Sequence, residues 1–188
     1  MPILLPGTVI PYSESAGRNT YALIAPIILA TGGISLSQLS AITGLEGSTI
    51  QNWVKRGWVA PSREKKYGEQ SLVRVLLINI LRSTMKLESI ARLMKYVNGE
   101  VTDTSDDIMH DTQLYNLLCE LIYEVEKRRL QTADEIRCAI EGKIPDDISG
   151  RERKVLSDVL LIMVQSAMAG YYRSAVECEY EELGITEG

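Results

Sequence analysis

A single histidine and three cysteines are present in the whole chain, and their placement excludes most of the chemistry such residues perform. His110 has no second metal ligand at helical spacing and no adjacent serine or cysteine nucleophile. Cys119, Cys138 and Cys178 lie far apart with no CxxC or CxxH pair, which reads as reduced cytoplasmic thiols buried for packing rather than as a metal sensor. There is no glycine-rich phosphate loop and no pairing of a nucleophile with a base, so no enzyme and no cofactor are expected. Low-complexity segments and internal repeats are also absent. Asp103, Asp106, Asp107 and Asp111 lack the central glycine and closing glutamate of a calcium loop, which leaves residues 100–111 as a polar linker. The apolar stretch Tyr21 to Thr31 is too short to span a bilayer and is interrupted by Pro26, so a core helix kinked at the proline is expected, with no membrane partner. Residues 1–20 carry neither the charged start nor the small-residue cleavage site of a signal peptide.

What is present is apolar mass and an uneven distribution of charge. Of 188 residues 45% are hydrophobic, enough for a substantial core. The formal net charge of -5 argues by itself against a nucleic-acid partner. By segment, however, residues 1–54 carry -1, residues 55–99 carry +7 and residues 100–188 carry -11. Attraction to phosphate depends on the local field, so a basic middle joined to an acidic remainder suits a DNA-binding module attached to a domain with another task.

The basic segment follows two short helical patterns. Ser35 with Gln38 three residues on is a capping-box signal, Leu36, Leu39 and Ile42 form one apolar face, and Gly44 supplies a left-handed stop. After the turn at residues 44–47 the start signal recurs at Ser48, and Ile50, Trp53 and Val54 make an inward face. Thr49, Gln51, Asn52, Lys55 and Arg56 are left facing outward. Amides that can pair with adenine, and cations that reach phosphate or guanine, are what a recognition helix offers to a major groove. Gly57 ends that helix, residues 58–61 read as extended chain before Pro61, and Ser62 to Tyr67 form a small basic loop suited to lying over phosphates as a wing. Two further helices follow, one apolar on most sides from Glu69 to Arg82, the other amphipathic from Glu88 to Val97 and closed by Asn98-Gly99.

The order of these parts resembles the winged helix-turn-helix of MerR-type regulators. The matching residues are Leu39, Thr43-Gly44, Thr49-Ile50, Trp53, Lys55-Arg56-Gly57-Trp58-Val59, Pro61, Tyr67 and Leu87-Glu88-Ser89-Ile90. Within that group, the runs from Gln51 to Trp58 and from Leu77 to Arg82 are similar to an uncharacterised bacterial family of MerR-like proteins. The resemblance implies an all-α fold with a short wing, and DNA contacts from Ser48, Thr49, Gln51, Asn52, Lys55, Arg56, Arg63, Lys65, Lys66 and Tyr67. It departs from the group's pattern where recognition helices carry arginine and tyrosines and this chain has Gln51, Asn52 and Trp53.

Three regions are therefore expected: an extended arm over residues 1–20, a helix-turn-helix domain over 21–99 and an acidic helical bundle over 100–188. In the last, Leu114, Leu118, Leu121 and Val125 form a seam of the kind shared within a chain or across a dimer, and a long helix runs from Arg151 to Glu182. The expected function is a sequence-specific transcriptional regulator, dimeric through its C-terminal helices, binding a near-palindromic operator and open to a small-molecule effector. The alternative is a protein-interaction module that keeps the fold without binding DNA.

Overall fold

The computed structural model describes residues 4–11, 21–99, 101 and 107–184, and among these the architecture is all-α, with isolated β-bridges only. Expectations for residues 1–3, 12–20, 100 and 102–106, parts of the arm and of the acidic linker, lie outside the described residues.

After a 3-10 turn at Tyr21–Leu23, α1 spans Ala25–Thr31. Pro26 does not kink it but sits in its first turn, where the missing amide proton costs no intrahelical bond. Next come α2 (Leu36–Thr43), α3 (Gly47–Lys55), α4 (Glu69–Leu81) and α5 (Leu87–Asn98). The last three are α6 (Asp111–Arg128), α7 (Ala133–Glu141) and α8 (Gly150–Glu182).

Local chemistry accounts for the ends. Ser35 and Gln38 form the full capping box at α2, and Gly44 closes it at φ 69°, a left-handed conformation that suits glycine. The start of α3 differs from the sequence reading: its cap is Glu46, with no side-chain bond, and Ser48 lies inside the first turn. Gly47, the first residue of the helix, lies close to Leu36, whose Cδ2 would be 3.2 Å from an added Cβ. Thr132 and Glu135 make a second reciprocal cap at α7.

Packing centres on α4, which lies against α2, α5, α6 and α8. Its residues from Ser71 to Ile78 are all buried, so a helix apolar on most sides is what the surroundings require. The seam at Leu114, Leu118, Leu121 and Val125 is buried within the chain, where α6 meets α4 and α8. At the small residues of α8 the backbones approach closely: Thr84 bonds to Ser166, and Gly170 faces Ser83.

Residues 4–11 are not an extended arm. They fold back through Leu5 N–H to Ile10 O at 2.9 Å and Thr8 N–H to Leu5 O at 3.0 Å. Leu5 and Thr8 are buried, Tyr115 donates its hydroxyl to Pro6 O, and Asn79 bridges Gly7 O and Thr43 O at 3.0 Å each. The turn therefore fastens the end of α2 to α4 and α6.

By length and composition α8 is apolar enough to cross a membrane, but half of its most apolar window is buried inside the fold. Of the cysteines only Cys119 is buried; Cys138 is exposed and Cys178 half-buried, which corrects the expectation that all three pack inside.

Candidate nucleic-acid interface

Helices α2 and α3 pack on each other and present two different surfaces. Inward, Leu39, Ile50 and Trp53 are at most 1% exposed, while Gln51, Asn52, Lys55, Arg56 and Ser48 are open to solvent. Thr49 is half-buried. The amide and cation face of α3 is thus free of the acidic helices, and α6, α7 and α8 do not cover it.

The chain then runs through the buried Val59 into a hairpin. Arg63 N–H donates to Lys66 O at 2.9 Å and Lys66 N–H to Arg63 O at 2.8 Å, leaving Glu64 and Lys65 as the two-residue tip. Both tip residues have left-handed backbone, φ 50° and 64°, as the mirror-image turn of a tight hairpin demands. Neither is glycine or asparagine, so the tip carries local strain of about 1 kcal/mol or more per residue. Arg63, Glu64, Lys65 and Lys66 are all exposed. Tyr67 is not: it is 5% exposed, and its backbone pairs with Ile34 in both directions at 2.7 and 2.9 Å. Its expected role at the DNA is corrected to an anchor that ties the hairpin to the residue before the cap of α2.

Arg56 is accessible but engaged, 3.2 Å from Glu88 of α5 and stacked 5.0 Å over the Trp58 ring. Arg82, Lys86, Arg92, Lys95 and Tyr96 add exposed groups on the end of α4 and on α5 that motif spacing did not single out. The amphipathic pattern of α5 could have found Arg92 and Lys95, since Ile90, Met94 and Val97 fix which side faces in.

Beneath this surface lies a polar cluster that the sequence reading missed. Arg74, in the middle of the apolar α4, places Nε 3.1 Å from Oδ2 of Asp111, with side chains 3% and 5% exposed. Asn98 donates to Oδ1 of Asp111 at 2.9 Å. Burial pushes the Asp111 carboxyl above its ordinary range, and the Arg74 charge and the Asn98 bond oppose that shift without cancelling it. His110, expected to be without a catalytic role, sits exposed at the start of α6, 3.5 Å from Asp107.

Two cavities flank these elements. One of about 310 Å³ is an open cleft lined by residues 4–8, α4, α6 and α8, with Leu5, Ile80, Ile122 and Met168 among its walls. The other, about 520 Å³, opens between the end of α3, α4 and α5. Among the described residues no cluster of His, Cys, Asp or Glu could hold a metal ion.

Comparison with known proteins adds relatives rather than an activity. The chain is 31% identical over 115 residues to the uncharacterized protein YkrK of Bacillus subtilis (strain 168), a match covering 59% of this chain and 47% of that protein. The chain thus spans about half the length of this curated relative. No solved structure matches. The stretch that holds α2, α3, the hairpin and the Arg74 cluster, residues 33–118, matches DUF1836, a domain of unknown function.

Proposed function

We propose that this protein is a sequence-specific DNA-binding regulator with a short-winged helix-turn-helix of the MerR type. The observation that carries the reading is the two-sidedness of α3: Ile50 and Trp53 are buried while Gln51, Asn52 and Lys55 are exposed on a helix already braced by α2. Such a helix can enter a major groove with its amides toward base edges. Arg63, Lys65 and Lys66 on the hairpin hold the phosphates. Selection from a random duplex pool tests the reading and returns the operator; enrichment of a near-palindrome supports it, and an unenriched pool rejects it.

The regulator acts as a dimer through α8. Val155, Ile162, Ala169, Val176 and Leu183 recur every seven residues, and Ile162, Val176 and Leu183 are 43%, 65% and 70% exposed. Tyr172, on the same side and 63% exposed, continues this unpartnered seam. The partner is a second copy running antiparallel. In that arrangement the exposed Arg151 and Lys154 at one end meet Glu179 and Glu182 at the other, whereas a parallel pair would set the acidic ends together. The apolar cavity beside residues 4–8 is where a small-molecule effector is placed, because its wall connects through Asn79 to the end of α2.

The same seam favours the second reading, a helical interaction module that does not bind DNA. The two part cleanly at low salt, where the regulator binds mixed DNA and the module does not.

A further inference from the structure

The hairpin that carries the cations also carries an acid at its apex. Glu64 stands between Arg63 and Lys65, is exposed as they are, and makes no side-chain hydrogen bond or ion pair among the described residues. Side chains alternate along a hairpin, so with Tyr67 turned inward Lys66 and its cross-strand partner Arg63 face out, and the tip projects past them. Other acids near α3 and the hairpin have local uses. Glu46 precedes α3, where a negative charge suits the helix dipole; Glu88 holds Arg56 at 3.2 Å; Glu69 accepts from the Thr112 hydroxyl at 2.9 Å. Glu64 has none of these. Its backbone is strained besides: at φ 50° it occupies the left-handed region, which glycine or asparagine enters more easily. Strain kept at an exposed position points to a task for the side chain.

We infer that Glu64 is a specificity-determining residue whose carboxylate accepts a hydrogen bond from the exocyclic amino group of a base, an inference that rests on the DNA-binding reading above. An ionised carboxylate only accepts. Against a duplex it meets phosphate and sugar oxygens, which are acceptors themselves. The donors that a duplex displays are the amino groups of cytosine and adenine in the major groove and of guanine in the minor groove. Arg63 and Lys65, one on each side of Glu64, draw the tip toward the backbone of any sequence. The acid then divides the sequences: opposite an amino group it is satisfied, and opposite an oxygen it repels. Discrimination by the tip comes as much from what Glu64 rejects as from what it binds. Base reading thereby extends from Gln51 and Asn52 of α3 to a second element.

The test measures, by anisotropy at one fixed low salt, the affinity of the full chain for the operator selected from the random pool and for mixed duplex DNA. Glu64→Ala should bind mixed DNA about threefold more tightly, because an anion has left the loop that faces the phosphates. It should bind the operator more weakly, so that the ratio of the two affinities falls by about tenfold or more. A second arm replaces one guanine, adenine or cytosine of the operator at a time by hypoxanthine, purine or pyrimidin-2-one, which lack the amino group. The wild type should lose about tenfold at one position, and Glu64→Ala should be indifferent to the same replacement. A response to hypoxanthine identifies the minor groove and one to purine or pyrimidin-2-one the major groove, either of which upholds the assignment. A ratio unchanged by Glu64→Ala, or no replacement to which wild type and variant respond differently, overturns it and leaves the DNA-binding reading in place. A wild type that binds no duplex overturns both.

Discussion

Arg74 and Asp111 meet 3.1 Å apart where the basic segment of the chain joins the acidic one, both side chains almost wholly withdrawn from water. The pair links α4 to the first residue of α6, and Asn98 brings in the end of α5. Removing one member leaves an uncompensated buried charge. Asp111→Ala is expected to destabilise the fold by about 3–5 kcal/mol in urea denaturation, and Arg74→Met with Asp111→Leu by much less than the sum of the single changes. Additive losses would show that the two groups act separately.

The strained hairpin tip allows stability and function to be pulled apart. Glu64 and Lys65 occupy left-handed positions that asparagine and glycine take without penalty. Lys65→Gly should raise stability by about 1 kcal/mol while weakening DNA binding, because the lysine charge is lost. A variant more stable and equally good at binding DNA would remove the hairpin from the interface.

Within α3 and the hairpin, the two kinds of contact should separate by mutation. Lys65→Ala with Lys66→Ala is expected to weaken binding to all sequences about equally, while Gln51→Ala or Asn52→Ala alters sequence preference. Competition assays on a panel of single-base operator variants measure both effects. Equal and uniform losses from both sets would refute this division of labour.

Acid should weaken the first turn of α7. The Glu135 carboxylate is held below its ordinary range, chiefly by backbone amides of Thr132 and Gln131 at the start of that helix. A depressed value in the folded state means that its contribution is present above the unfolded value of about 4.3 and is lost as pH falls through the folded one. Glu135→Gln keeps a capping side chain but does not titrate. Between pH 7 and pH 3 the wild type should therefore lose more stability than Glu135→Gln; parallel losses would contradict that assignment.

Much of this architecture was legible in the residues themselves. The caps at Ser35 and Gly44, the buried faces of α2 and α3, and the seam of α6 follow from short-range rules, and the structure places them as those rules require. Other features depend on neighbours distant in sequence. Arg74 falls inside an apolar run and reads as an interruption, since its partner Asp111 lies beyond the intervening helix. Tyr67 follows a basic loop, yet its pairing with Ile34 draws it inward. The fold-back of residues 4–11 depends on Asn79 and Tyr115, which nothing in the local sequence announces.

The α8 seam has its own test. Val176→Glu with Leu183→Glu puts like charges into the stripe at two side chains that are 65% and 70% exposed within the chain. Sedimentation of the wild type should report twice the 20.9 kDa chain mass, and of the variant a single chain with unchanged helix content. A wild-type monomer would remove the dimer.

The most direct measurement is the affinity for mixed duplex DNA as a function of salt, read by anisotropy of a labelled duplex. Lys55, Arg63, Lys65 and Lys66 from two copies supply about eight phosphate contacts, so affinity should fall by about 10⁴ between 50 and 200 mM salt. No binding at the lowest salt, or an affinity indifferent to it, would contradict the assignment of the open face of α3 and its neighbouring hairpin to DNA.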